Sequence, residues 1–177
     1  MAASGEGVTL YTLGHSRHAI ETFIALVHDH NVDLIVDVRG QPYSRFNPQY
    51  NREQFKKSLA NRQVDYIWFG DRLSGRPKDP KYRGPDNKVL WHTLMESAGV
   101  QDGIAEVLAL AADTRLALVC AEENPLSCHR RLLLTPPLSN LGAEVLHVRG
   151  DGRIDPEDEL RKSEASPKDG DQLNLID

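Results

Sequence analysis

Arg115-Leu-Ala-Leu-Val-Cys-Ala-Glu-Glu-Asn-Pro-Leu-Ser-Cys-His-Arg-Arg131 is an apolar run, a polar loop and the opening of a helix. The run ends at Cys120, and Cys128, His129, Arg130 and Arg131 start the next element. A strand that short and that apolar belongs inside a parallel sheet, buried on both faces. In open α/β sheets the crevice beyond a strand's carboxyl end is where ligands bind. Both cysteines of the chain lie in this segment, beside carboxylate, imidazole and guanidinium groups.

The same pattern recurs on either side. Val8–Leu13, Asp33–Val38, Val64–Phe69 and Ala143–Val148 read as further strands. Helical spacing places helices over Ala19–His30 and Asn51–Arg62, with Asn51 as a candidate N-cap. Val89–Ser97 and Val100–Ala112 form one broken helix or two, parted near Gly99. A helix is expected over Cys128–Leu134, ended or kinked by Pro136 and Pro137. Between the third strand and these helices, Gly70–Asn87 is irregular and longer than most connections. Alternating strands and helices predict a compact three-layer α/β domain, with a mostly parallel sheet of about five strands and helices on both faces.

With 177 residues, 40% hydrophobic and 27% charged, one soluble domain is expected over residues 1–149. Residues 150–177 read as an acidic, flexible tail. No apolar run has the length of a membrane span. The N-terminal residues lack the features of a signal peptide, and with only two cysteines the expected location is the cytoplasm.

Charge is unevenly distributed. Asp37 to Lys88 holds twelve Lys and Arg against six Asp and Glu, a local +6 within a chain of net −5. Asp151 to Asp177 holds four against nine, giving −5. A basic segment in an acidic chain suggests a localised anion-binding face.

Three loops leave the same edge of such a sheet: Gly14-His15-Ser16, Asp37 to Pro48, and Cys120 to Arg131. Arg39, Arg45 and Arg130 suit a phosphate or carboxylate, because a guanidinium grips such groups through two bonds. His15, Ser16 and Ser44 complete the candidate substrate contacts. Asp37 closes an apolar strand, where it would hold an arginine in place or act as a base. Glu122, His129 and Asp37 are the candidate acids and bases. Cys128, at a helix start that favours a thiolate, is the candidate nucleophile, and Cys120 is read as core. The Cys120, Cys128 and His129 spacing matches no usual zinc pattern, so no metal ligands are assigned. There is no Gly-x-Gly-x-x-Gly, Walker loop or Gly-x-Ser-x-Gly, which removes the common nucleotide and serine-hydrolase signatures. Arg72, Arg76, Lys78, Lys81 and Arg83, near Tyr66, Trp68, Phe69, Tyr82 and Trp91, suit phosphate pairing and base stacking.

Thr12-Leu-Gly-His-Ser16, Asp37-Val-Arg-x-x-Pro-x-Ser-Arg-x-x-Pro48 and Cys120-Ala-Glu-x-x-Pro-x-x-Cys-His-Arg130 resemble the three signatures of domain-of-unknown-function family 488. The resemblance runs from about Leu10 to Val148. It implies a bacterial or archaeal cytosolic α/β domain with one site built from the three motifs, and it implies no activity. The chain departs from the family pattern at Thr135-Pro-Pro137, where a continuing helix would be expected. A second resemblance lies at Gln172-Leu-Asn-Leu-Ile176, which is similar to the peptide that docks bacterial replication and repair proteins on the sliding clamp.

The leading expectation is a domain that binds or processes a phosphorylated, nucleotide-like or nucleic-acid substrate at the strand ends. A non-catalytic module for nucleic acid or protein would instead show salt-sensitive binding that survives loss of Cys128 and His129. A metal or thiol-redox protein would hold metal or form a Cys120–Cys128 disulfide.

Overall fold

The computed structural model describes residues 7–165. The expected run at the centre of the chain is the strand β4 (Leu116–Cys120), buried along its whole length. The other strands are β1 (Thr9–Gly14), β2 (Leu34–Asp37), β3 (Asp65–Trp68), β5 (Glu144–Val148) and β6 (Ile154–Pro156). They form a six-stranded sheet of order β3-β2-β4-β1-β5-β6. Every pairing is parallel except that of β5 with β6.

Alternate residues of the strands feed two separate cores. On one face, Phe23 and Val27 of α1 (Ile20–Asp29) and Phe55 and Leu59 of α2 (Arg52–Ala60) pack on Leu13, Ile35 and Val119. Opposite them, Ile104, Val107 and Leu108 of α4 (Ala98–Asp113) cover Leu10, Val36, Leu118 and Cys120. The short α3 (Trp91–Met95) precedes α4, and the break falls at Ser97, whose hydroxyl caps α4 by accepting from the Val100 amide. The chain is thus an α/β domain whose sheet has helices on both faces. The connection leaving β2 crosses one face and the one leaving β4 crosses the other. Their neighbouring carboxyl ends therefore part to leave a crevice, the position where open sheets of this kind bind ligands.

Two features differ from the sequence reading. Pro136 and Pro137 do not end the helix. The residues before them, Arg130–Leu134, are wound as a π-helix, and α5 (Thr135–Asn140) continues directly. The Thr135 amide and hydroxyl both donate to the Arg130 carbonyl. Both prolines fall in the first turn of α5, where a missing N–H removes little. The chain also stays structured past residue 149, through β6 and α6 (Glu157–Ala165). Ile154 pairs with Val148, and the buried Glu157 carboxylate is bonded to Arg131, His147 and Arg161. The rest of the expected tail, with the clamp-docking peptide Gln172–Ile176, lies outside the described residues. Among the described residues no helix is long and apolar enough to cross a membrane.

Candidate functional site

The three strand-end loops meet at the crevice between β2, β4 and β1. The His15 and Ser16 amides donate to the Cys120 and Ala121 carbonyls at 2.9 Å each, and the Val38 amide donates to Val119 at 3.1 Å. Gly14 makes this junction fit. A Cβ there would lie 1.8 Å from the Glu122 carbonyl oxygen and 2.6 Å from Arg130 Nη1. Only glycine lets the loop after β4 cross so close to β1.

Asp37 is fully buried and saturated with donors. Arg39 Nε and Nη2 reach it at 2.9 and 2.7 Å, the Arg39 amide at 3.0 Å, and the Tyr66 hydroxyl at 2.7 Å. A carboxylate so held anchors the Arg39 guanidinium and the Tyr66 hydroxyl at the end of β2. Arg39 Nη1 lies 3.0 Å from His15 Nε2, while His15 Nδ1 is 2.9 Å from the Ser16 carbonyl. The geometry fixes one neutral tautomer, with Nδ1–H donating to Ser16 and Nε2 accepting from Arg39. Burial and the Arg39 charge hold His15 down at about 4. Its ring stacks on Tyr50 with centroids 4.1 Å apart.

Cys120, Cys128 and His129 form a second cluster a few ångströms away. His129 Nδ1 stands 3.5 Å from Cys120 Sγ and 4.0 Å from Cys128 Sγ, and His129 Nε2 is 3.2 Å from the Val38 carbonyl. Cys120 faces the cavity, whereas Cys128 is wholly buried behind it. This reverses the expected order of the two thiols. Donation from the Cys128 S–H brings Cys120 below the ordinary thiol range, and the adjacent sulfur charge pushes Cys128 up. Of the two sulfurs, the one at the end of β4 lines the cavity.

Above this cluster lies a cavity of about 300 Å³, walled by Arg39, Gln41 and Glu122 and by Ser74–Arg76 on the far side. It shares Arg39, Gln41, Tyr43 and Ala121 with a second cavity of about 280 Å³ at His15, Ser16, Arg17 and Ser44. It shares Gly40, Gln41, Ser74 and Arg76 with a third, of about 740 Å³, that reaches Lys78 and Tyr82. The three adjoin through these shared walls and together form the groove.

The expected site residues separate into those in the groove and those outside it. His15, Ser16, Arg39, Ser44, Glu122 and His129 line it. Arg130 does not. It is fully buried and its Nη1 and Nη2 clamp the Glu122 and Glu123 carbonyls, fixing the loop after β4. Arg45 is exposed, set over the Phe46 ring, and lines none of the three cavities. Ser44 is half-committed, since its hydroxyl accepts from the Phe46 and Asn47 amides.

Of the other groove residues, the sequence reading did not single out Arg17 and Tyr43, and named Arg76 only within the basic loop. Arg17 and Arg76 line the groove, and Tyr43, 72% exposed, stands between the first two cavities. Among the described residues no carboxylate pairs with Arg17, Arg76 or Lys78. The local +6 was the available signal for Arg76, but nothing in the sequence ranked it above its neighbours.

The family described as "Domain of unknown function DUF488" covers residues 19–135. No curated protein and no solved structure matches the chain.

Proposed function

This chain belongs to the DUF488 family, and from that premise we propose that it binds a phosphate-bearing, nucleotide-like ligand, a segment of nucleic acid in particular, along the groove. The observation that carries this reading is the set of cations Arg17, Arg76 and Lys78, without a carboxylate partner among the described residues, on a groove that also presents the exposed ring of Tyr43. Phosphates pair with such cations, and a base stacks on an exposed aromatic ring. A groove of three joined cavities suits a short strand better than a closed slot suits a single nucleotide. Arg39 contributes shape more than charge, because Asp37 already neutralises it. Glu122, exposed on the rim, is the carboxylate placed to exchange a proton with a bound ligand.

Fluorescence anisotropy with a labelled single-stranded oligonucleotide tests the reading, with ADP as competitor. Binding is expected to weaken with salt. Arg17→Ala and Arg76→Ala should each reduce the slope of log K against log[salt] by about 0.7. Tyr43→Ala should cost about 1–3 kcal/mol of binding. Strong competition by ADP would narrow the ligand to a mononucleotide. No binding of either probe at low salt, or binding indifferent to all three changes, would overturn the reading.

A further inference from the structure

We propose that Cys120, Cys128 and His129 form a mononuclear Zn²⁺ site with one coordination position open to the cavity. Their three ligand atoms lie within 4.8 Å of one another. A tetrahedral ion with Zn–S of about 2.3 Å and Zn–N of about 2.0 Å sets its S···N separations at about 3.5 Å. The observed separations are 3.5 and 4.0 Å. Both S···N separations are thus within about half an ångström of what the ion requires. The two sulfurs, within 4.8 Å of each other, need to approach to about 3.8 Å, a closure of at most about 1 Å.

The donor set selects the metal class. Two sulfurs and one imidazole are soft and borderline ligands, suited to zinc and poorly suited to magnesium or calcium. The ring is also turned the right way. His129 Nε2 donates to the Val38 carbonyl, which leaves the lone pair on Nδ1, facing both sulfurs. Gly75 packs on the back of the same ring, where a Cβ would stand 2.4 Å from His129 Cβ and 2.7 Å from Cγ. The supporting backbone is regular, since Cys120 ends β4 and His129 directly precedes the π-helical turn.

Three protein ligands and an open position are the stoichiometry of sites that bind a further ligand, unlike the closed four-ligand sites that only stabilise folds. Here the open side is the cavity, because Cys120 and His129 line it and Cys128 closes the site from behind. On binding, each thiol releases its proton to solvent and donates a sulfur lone pair to the ion, with no change of oxidation state.

The test uses the full chain, reduced and stripped of metal with a chelator, then titrated with Co²⁺ and Zn²⁺ without any anionic ligand. Saturation at one Co²⁺ per chain is expected, with sulfur-to-cobalt charge-transfer bands and the visible spectrum of four-coordinate cobalt, both lost when Zn²⁺ displaces it. Cys120→Ser should lose part of the charge-transfer intensity. Because Cys128→Ser puts a hydroxyl into the core, alkylation of the unaltered chain supplies the second readout. Zn²⁺ should shield Cys120, the thiol that lines the cavity, as read by mass spectrometry. A six-coordinate cobalt spectrum, no saturable binding, or a Cys120 that alkylates equally with and without Zn²⁺ would each overturn the proposal.

Discussion

Arg39 and Asp37, two positions apart at the end of β2, face each other through paired bonds of 2.9 and 2.7 Å. Both side chains are buried, and the arginine's remaining terminal nitrogen faces His15. A guanidinium held on three sides is part of the groove's wall. Its charge is cancelled before any ligand arrives. This relationship changes the role first expected of Arg39 as an anion-holding group.

Arg39→Ala should therefore act on stability before it acts on binding. It leaves the buried Asp37 carboxylate with Tyr66 as its remaining side-chain donor. Removing one partner of a buried pair costs about 3–5 kcal/mol. Urea unfolding of the variant measures this directly. A loss below about 1 kcal/mol would show that the pair is not what fixes the end of β2.

Gly14→Ala tests the crossing of the two central loops. The added methyl would collide with the Glu122 carbonyl, which is backbone and cannot swing aside. A loss above about 4 kcal/mol is expected, in the range reserved for specific structural conflicts. Gly99→Ala is the matched control. It meets nothing within 4 Å in the first turn of α4, and alanine there should be neutral or stabilising by up to about 1 kcal/mol.

The fold was legible where burial is two-sided. Leu116–Cys120 and Leu34–Asp37 are buried at every position, and the sequence shows the first as an uninterrupted apolar run and the second as an apolar run closed by Asp37. The segment after Val148 was not legible. Its composition is that of a solvated tail, and it is anchored by the pairing of β6 with β5 and by Glu157 and Glu164, whose partners Arg131 and His147 lie on other elements. The loops carrying the site could be located from the ends of the strands, but not the direction of each side chain. His129 and Arg130 are neighbours in sequence, yet one turns to the cavity and the other clamps the loop behind it. The sequence also could not show which thiol meets the cavity: Cys128, at the expected helix start, lies in the core, while Cys120, read as core, lines the cavity wall.

Glu157→Ala should release the C-terminal helix. The variant leaves Arg131 and His147 without their shared carboxylate, and Arg161 loses its bond within α6. Global stability should fall by about 3 kcal/mol or more. Hydrogen exchange gives the local signature, with protection of residues 157–165 lost while β1 and β4 stay protected. Unchanged exchange in α6 would mean that β6 and apolar contacts hold the helix unaided.

Acid should weaken the fold in two steps. His15 is held at about 4 against an ordinary 6.5 by burial and by Arg39. Between those values the unfolded chain takes up a proton that the folded chain refuses, so stability falls as pH drops from 6.5 towards 4, by about 3 kcal/mol. His147, lowered by burial, acts in the same direction from the same starting point. Glu157 supplies the second step. Burial opposes its ionisation, but bonds from His147, Arg131 and Arg161 prevail and hold it at about 2 against an ordinary 4.5. Its contribution is complete above 4.5 and is lost as pH falls towards 2. Urea unfolding at pH 7.5, 5.5, 4 and 3 measures both steps. In His15→Gln the decline between pH 6.5 and 4 should become shallower, while the decline below 4.5 persists. A His15→Gln profile parallel to that of the unaltered chain would mean that the His15 imidazole accepts a proton in the folded state as readily as in the unfolded one.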